Sequence, residues 1–192
     1  SPNAFIFNSF ITSSPTCYEG NNGKINFSYR GGYGAPFEVK WTKKVNSEFV
    51  SIDDQTPKDN SLENISSGAY KVEVIDSENV SYQYDNEILV SSVNEFLINS
   101  TSNIISETCP GSLDGQFTVN VGGGTAPYNY YFDDELIASN RGDSSNTDEY
   151  TLENLSKNEY TFYAIDANGC VTSPVIVKID GDDPIEVLNE GI

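Results

Sequence analysis

Short stretches in which polar and apolar residues alternate run through the chain. Residues 116–121 are Gln-Phe-Thr-Val-Asn-Val, and residues 160–165 are Tyr-Thr-Phe-Tyr-Ala-Ile. A period of two is typical of a β-strand with one buried face. Turn signals separate such stretches, among them Gly122-Gly-Gly124 and Asn168-Gly169. No stretch shows the apolar stripe of a helix, so the pattern predicts an all-β chain with about seven short strands in each ninety residues or so.

The chain also contains an internal duplication, which sets the number of domains. Four blocks of the first half recur in the same order in the second half, at offsets of 90 to 92 residues. The pairs are Cys17–Phe27 with Cys109–Val119, Gly31–Trp41 with Gly123–Phe132, Leu62–Tyr70 with Leu152–Tyr160, and Val72–Asp76 with Phe162–Asp166. A repeat at one nearly constant spacing predicts that the same structural unit is built twice.

The repeat length and the turn spacing predict two tandem immunoglobulin-like (fibronectin III-like) β-sandwich domains. We place them at residues 1–91 and 92–182. Residues 183–192 are predicted to begin a third repeat or to form a linker, because Pro184–Leu188 is similar to the opening strand of both copies.

Four aromatic residues are predicted to have structural roles. Tyr70 and Tyr160 each follow a turn that carries a leucine or isoleucine, which is typical of the tyrosine corner of these sandwiches. Trp41 and Phe132 hold the strand position at which such sandwiches bury an aromatic ring. We therefore expect all four rings to belong to the cores rather than to a binding site.

The acidic composition narrows the classes of partner. The chain has 29 acidic and 10 basic residues, a net charge of −19, and no His. Nucleic acid and anionic lipid require clustered Lys and Arg, so neither is an expected partner. No apolar run approaches the roughly 18 residues of a membrane span, so direct membrane insertion is not expected. The sequence has no His for acid–base chemistry and no phosphate loop, so we expect no enzymatic activity.

Two polar segments are candidate binding sites. Asp180, Asp182 and Asp183 lie close together near the end of the second copy, and carboxylate oxygens are ligands that Ca²⁺ prefers. Solvated loop carboxylates are the alternative, and no cofactor other than Ca²⁺ is indicated. Arg141-Gly142-Asp143 is a tripeptide that some integrins recognise, although so short a match also arises by chance.

Clustered tyrosines are a third candidate. Tyr128, Tyr130 and Tyr131 are so close in sequence that at least one must face away from the core of a strand-built domain. An exposed tyrosine ring can stack on a sugar, or it can simply lie in solvent. The ligand itself is not indicated by the sequence.

Taken together, the repeated blocks resemble the SprB-type repeat of gliding-motility and other cell-surface adhesins. The second copy carries the pattern at Cys109, Asp114-Gly115, Gly123-Gly124, Pro127-Tyr128, Leu155, Tyr160, Asp166 and Gly169-Cys170. The first carries it at Cys17, Gly23, Gly31-Gly32, Pro36, Trp41, Ile65, Gly68, Tyr70 and Asp76, and departs from it at the end, where Val80 replaces the second cysteine. The resemblance covers essentially the whole chain.

The resemblance implies a function. It implies export by a type 9 secretion route, display on the outer surface of a bacterium, and a role in surface attachment and gliding motility. The repeats would act as a spacer and as a contact for polysaccharide or solid surfaces, with neighbouring repeats of the same chain as partners. The alternative is a pair of noncatalytic accessory modules in a secreted carbohydrate-active enzyme. The chain contains no Met, so we expect a fragment or a processed product whose export signal lies outside it.

The resemblance also implies how the three cysteines are used. Cys109 and Cys170 hold both cysteine positions of the repeat, so we expect a disulfide between them. A disulfide suits an extracellular compartment. Cys17 has no mate in its own copy, so we expect a free thiol there or a partner outside the chain.

Overall fold

The computed structural model describes residues 3–35, 37–52, 60–142 and 147–182. The chain divides into two compact units, Ser1–Val93 and Asn94–Ile192. The division lies two residues after the boundary expected from the repeat, and residues 183–192 are outside the described part. Every regular element among the described residues is a β-strand, so the all-β prediction is confirmed.

Unit 1 has eight strands among its described residues. They are β1 (Asn3–Ser13), β2 (Gly23–Gly32), β3 (Glu38–Val45), β4 (Glu48–Ser51), β5 (Ser61–Ile65), β6 (Gly68–Ile75), β7 (Ser81–Gln83) and β8 (Ile88–Val90). One sheet has the order β1-β2-β5, and the other has the order β4-β3-β6-β7 with β8 also paired to β6. All of these pairings are antiparallel.

The alternating sequence of unit 1 places one face of each sheet in a shared core. Buried positions alternate along β2 and β6, as the period of two predicts. The core cluster takes Ile25 from β2, Trp41 from β3 and Val72 from β6, so both sheets contribute to it. Trp41 is 2% exposed and contacts the Phe27 ring edge-on at 5.6 Å between centroids, which confirms its assignment to the core.

Unit 2 repeats this architecture with seven strands among its described residues. They are β9 (Leu97–Ile105), β10 (Gly115–Gly122), β11 (Tyr128–Phe132), β12 (Glu135–Arg141), β13 (Thr147–Leu155), β14 (Asn158–Ile165) and β15 (Val175–Ile179). The sheets have the orders β13-β10-β9 and β12-β11-β14-β15, again antiparallel. The last strand begins at Val175, and Val171 before it makes an isolated bridge to Ile165.

The core of unit 2 joins its two sheets through aromatic rings. Phe117 of β10 meets Phe162 of β14 edge-on at 6.5 Å between ring centroids, and both side chains are fully buried. Phe132 is half-buried and stacks on Tyr160 at 4.7 Å. Aromatic pairs of this geometry add to the stabilisation from apolar burial.

Both tyrosine corners are present. The Tyr70 hydroxyl donates to the carbonyl of Ser66 at 2.6 Å, and the Tyr160 hydroxyl lies 3.0 Å from the carbonyl of Ser156. Each ring is buried at the start of its strand. The corner therefore fixes the turn before β6 and the turn before β14, which confirms the structural role predicted for both residues.

Candidate functional site

A buried aspartate fastens two loops together at one end of each unit. In unit 2, Asp166 is 4% exposed and follows β14. Its carboxylate accepts the backbone N–H groups of Thr125, Asn168 and Cys170, each at 2.8 Å. A buried carboxylate is tolerated because these donors replace its water. The bonds join the β10–β11 loop to the turn after β14.

Unit 1 has the same arrangement around Asp76. Its carboxylate accepts the N–H groups of Tyr33, Glu78 and Val80 at 3.0 to 3.1 Å, and the Tyr82 hydroxyl at 2.9 Å. Burial alone would raise the pKa of Asp76, but these four donors favour the charged form and lower the pKa below its usual value.

The glycine pair of the repeat makes room for this aspartate. Gly124 has φ +59°, and a Cβ there would lie 2.9 Å from Asp166 Oδ2 and 2.8 Å from the ring of Phe96. A side chain would therefore be strained by its backbone and would also clash. This close approach is the physical reason that the repeat pattern contains both Gly123-Gly124 and Asp166, although they are distant in sequence.

A second carboxylate cluster lies at the other end of unit 2. Glu107 is 5% exposed and accepts the N–H groups of Gly111, Leu113 and Lys157 at 2.9 to 3.2 Å. The bond from Lys157 is the main reason that the pKa of Glu107 is lowered. Asp114 accepts hydrogen bonds from the Ser112 hydroxyl and from Thr108, which lower its pKa to about 2. Both carboxylates hold the turn that carries Cys109.

The predicted Cys109–Cys170 disulfide is wrong. Cys109 is an exposed free thiol, whereas Cys170 is disulfide-bonded. The Glu107 carboxylate accepts a hydrogen bond from the N–H of Lys157, just before β14. The N–H of Cys170 donates a hydrogen bond to Asp166, just after β14. A strand of eight residues separates these points by roughly 26 Å. The two residues from Glu107 to Cys109 reach about 7 Å, so Cys109 stays far from Cys170. A disulfide needs Cα atoms within about 7 Å.

The free-thiol assignment to Cys17 is also wrong. Cys17 is disulfide-bonded, and the free thiol belongs to Cys109, the equivalent position of the second copy. The presence of a disulfide itself is confirmed.

The three-residue sequence Arg141-Gly142-Asp143 is only partly within the described residues, because Asp143 lies outside them. The Arg141 guanidinium pairs with Asp148 at 3.0 Å and covers the Tyr150 ring at 5.1 Å. A Cβ on Gly142 would lie 2.8 Å from the Tyr128 ring. Arg141 is thus bound to its own unit, and the arrangement gives no support to a role in integrin recognition.

The three predicted calcium ligands are not brought together by the described structure. The Asp180 carboxylate pairs with Lys178 at 2.6 Å, Asp182 is exposed, and Asp183 lies outside the described residues. Within the described ranges, no three His, Cys, Asp or Glu side chains are grouped as metal ligands would be. The calcium site stays a prediction.

The neighbouring tyrosines of β11 divide between the two faces of their sheet. Tyr128 and Tyr130 are fully buried, and the Tyr130 hydroxyl donates to Asp148 at 2.8 Å. Tyr131 faces the other way and stacks on Tyr163 of β14, with 4.9 Å between the ring centroids. The expectation that at least one of the three faces away from the core is confirmed, and Tyr163 is the partner that the sequence did not indicate.

The structure also gives Glu107 and Asp166 roles that the sequence alone does not show. Glu107 was not singled out, because the first copy has Pro15 at the equivalent position and the repeat comparison gives no signal there. Asp166 was part of the repeat pattern, but one of its hydrogen-bond donors, Thr125, lies 41 residues before it along the chain. Only the three-dimensional arrangement shows that both act as acceptors for backbone N–H groups.

The fold places the chain in the class of tandem immunoglobulin-like and fibronectin III-like β-sandwich proteins. The first eight immunoglobulin domains of Down Syndrome Cell Adhesion Molecule isoform 1.30.30 match with a TM-score of 0.50 and 18% identity, over 94% of this chain and 24% of that chain. Hoc, the outer capsid protein of bacteriophage RB49, matches at 16% identity over 93% of this chain, with a TM-score of 0.44. The fibronectin(III)-like modules of CbhA from Clostridium thermocellum match at 15% identity over 93% of this chain and 95% of theirs, with a TM-score of 0.34.

The family signal lies in unit 2. Residues 101–135 match the family described as SprB repeat, which confirms the resemblance seen in the sequence. SprB repeats belong to cell-surface proteins, and a disulfide is compatible with that location. No curated protein matches the chain. The chain spans 59% of the Hoc chain. No helix in the described part is long and apolar enough to cross a membrane.

Proposed function

We propose that this chain is a repeat segment of a secreted bacterial cell-surface adhesin that serves surface attachment and gliding motility. The observation that carries the proposal is the SprB repeat match at residues 101–135, inside a unit whose architecture recurs in the first half of the chain. In this role the two units extend the adhesin from the cell and contact polysaccharide or a solid surface. The protein would be exported and displayed outside the cell, and it would be noncatalytic.

Several features of the structure support a load-bearing spacer. Each unit is built from two antiparallel sheets, and the strands within each sheet are joined by hydrogen bonds. A buried aspartate joins the β2–β3 loop in unit 1, and the β10–β11 loop in unit 2, to the turn after a central strand. A tyrosine corner fixes the turn before that same strand. These bonds tie loops to the sheets at both ends of a unit, so pulling on the chain must break buried bonds before strands separate.

The charge of the chain supports the proposed partners. A net charge of −19 opposes binding to polyanions, including nucleic acid and anionic lipid. Neutral polysaccharide and uncharged solid surfaces do not carry this penalty. We therefore propose neutral polysaccharide and uncharged solid surfaces as partners, together with neighbouring repeats of the same protein.

The proposal is tested in the bacterium that produces the protein. An in-frame deletion of residues 1–182 from the full-length adhesin is expected to reduce attachment of cells to untreated polystyrene, an uncharged surface, and to reduce their gliding speed. Normal attachment and gliding by the deletion strain, with the shortened protein displayed at normal levels, would overturn the proposal. Replacing the segment with two unrelated immunoglobulin-like domains separates the two roles, because such a replacement restores a spacer but not a binding surface.

A further inference from the structure

One outer sheet face of unit 2 is apolar and aromatic. Tyr131 of β11 and Tyr163 of β14 are directly opposite each other in the sheet, and residues opposite each other in a sheet project to the same face. Leu136 of β12 is opposite Tyr131 and is 55% exposed. Ile176 of β15 is opposite Thr161 and is 71% exposed. We call Tyr131, Tyr163, Leu136 and Ile176 the tyrosine face.

The fold does not require this face to be apolar. In unit 1 the equivalent residues are Lys40 of β3 and Glu73 of β6, and they too are directly opposite each other. The same position in the same sheet thus carries a basic and an acidic side chain in one unit and two tyrosines in the other. The outer face of an antiparallel sheet is ordinarily polar. The exposed apolar residues on this face of unit 2 therefore indicate that a ligand or a partner binds there.

The two tyrosines are also held ready for a contact. Their rings are parallel, with 1° between the ring planes and 4.9 Å between the centroids. Burial and the neighbouring Asp134 carboxylate raise the pKa of the Tyr163 hydroxyl, which keeps it neutral. The rings are stacked face to face, so each covers one face of the other and holds it in place. A ligand that packs on the edges and outer faces of the pair therefore immobilises few side chains that were free before, which lowers the entropic cost of binding.

We propose that the tyrosine face binds neutral polysaccharide, and that unit 1 does not share this site. The inference rests on the proposed function and assigns its ligand contact to one face of one unit. The apolar C–H faces of sugar rings pack on aromatic rings, and their hydroxyl groups need polar neighbours. Asn129 and Thr161 supply such neighbours, because they lie in the same outer rows of β11 and β14.

The charges around the face select against acidic polysaccharide. Asp133 and Asp134 form the β11–β12 turn close to Tyr131, Glu135 begins β12, and Glu159 lies on β14. Lys178 lies in the same outer row of β15 as Ile176 and is paired with Asp180 at 2.6 Å, and Arg141 of β12 is paired with Asp148. Among the described residues, an anionic polymer would meet mainly negative charge at this face, whereas a neutral polymer would not be repelled.

The test measures binding of the intact chain to named polysaccharides by affinity electrophoresis. Neutral dextran, mannan and mixed-linkage β-glucan are the probes, and alginate is the anionic comparison. We expect the chain to bind at least one neutral probe and not alginate. The double variant Tyr131→Ala with Tyr163→Ala should lose affinity at least about tenfold, while Tyr131→Phe with Tyr163→Phe, which keeps both rings, should stay within about threefold.

The first unit supplies a matched control and a converse test. Lys40→Ala with Glu73→Ala removes the equivalent pair and should leave binding unchanged. Lys40→Tyr with Glu73→Tyr places the tyrosine pair on unit 1 and should raise the apparent affinity of the chain. Far-UV circular dichroism shows for each variant that the strands are intact.

Four results would overturn the inference. Equal binding by the alanine double variant and the unaltered chain would remove the tyrosine face as the site while leaving the adhesin proposal in place. Binding to none of the neutral probes, or stronger binding to alginate, would remove the ligand class, and the deletion experiment would then decide separately on a spacer role. Dimers in sedimentation velocity that the alanine variant abolishes would assign the face to a second copy of this chain instead.

Discussion

The loop-fastening role of Asp166 leads to a strong prediction for the stability of unit 2. Replacing Asp166 with Ala removes one carboxylate and leaves the N–H groups of Thr125, Asn168 and Cys170 without their acceptor. Asp166 is 4% exposed, so water does not easily replace the lost oxygens. The substitution therefore affects three bonds at once and two loops that are distant in sequence.

The size of the effect follows from these bonds. A hydrogen bond to a charged group contributes about 1.5–3 kcal/mol, but bonds that share an acceptor do not add fully. Some relaxation of the loops will admit water to one or two of the freed donors. We expect Asp166→Ala to lower the free energy of unfolding of unit 2 by about 3–5 kcal/mol, a large share of the 5–15 kcal/mol or so that holds a domain together. Asp166→Asn keeps one acceptor oxygen and should cost about half as much.

Urea unfolding followed by the amide signals of β10 and β14 in two-dimensional NMR spectra measures this loss in unit 2 alone. Glu153→Ala is the control, because Glu153 is exposed on β13 and its loss should change stability by no more than about 0.5 kcal/mol. If Asp166→Ala unfolded within about 1 kcal/mol of the unaltered chain, the carboxylate would not be fastening the loops and the reasoning would fail.

Three further outcomes follow from the structure. The pKa of Asp76 is lowered in the folded state. The stability that its charged form contributes is therefore present above its unfolded pKa of about 3.9 and is lost as the pH falls through the lower folded value. Trp41 is the single Trp of the chain, and the urea midpoint that it reports should fall as the pH drops below about 4, whereas Asp76→Asn should flatten that fall. A thiol titration of the unfolded, unreduced chain should find one thiol, and it should vanish in Cys109→Ser; one thiol that persists in this variant would contradict the assignment. Tyr70→Phe removes the hydroxyl that bonds Ser66 and should lower the Trp41-reported stability by about 0.5–1.5 kcal/mol, whereas an unchanged midpoint would mean that the corner does not stabilise unit 1.

Much of the fold could be predicted from local pattern. The period of two along residues 116–121 placed Phe117, Val119 and Val121 on one face, and all three are fully buried. Tyr70 and Tyr160 were assigned correctly, because the tyrosine corner depends on a turn only four residues upstream. Features that depend on neighbours in sequence were therefore accessible without coordinates.

The cysteine pairing could not be predicted in the same way. Cys109 and Cys170 both lie beside strands, but which end of the unit each one occupies depends on strand direction and on loops that cross between sheets. Glu107 fixes one end and Asp166 the other. Both cysteines occupy positions of the same repeat pattern, but membership of one pattern does not give the distance between their Cα atoms.

The tyrosine face was only half visible in the sequence for a related reason. The crowding of Tyr128, Tyr130 and Tyr131 showed that a ring must point outward, but its partner Tyr163 lies 32 residues further on. Only the register of β11 against β14 brings the two rings together. Cross-strand partners of this kind require the pairing to be known.

The central claim is that the ninety-residue pattern folds twice, each time around its own core. Trp41 lies in the core of unit 1, so its fluorescence during urea unfolding reports that unit. Val72→Ala removes methyl groups from the residue opposite Trp41 on β6 and should lower the Trp41 midpoint clearly. Phe162→Ala opens a cavity of comparable or greater cost in the core of unit 2 and should leave the Trp41 midpoint where it was. If Phe162→Ala instead shifted the Trp41 transition as far as Val72→Ala does, one continuous core would span both halves and the account would be contradicted.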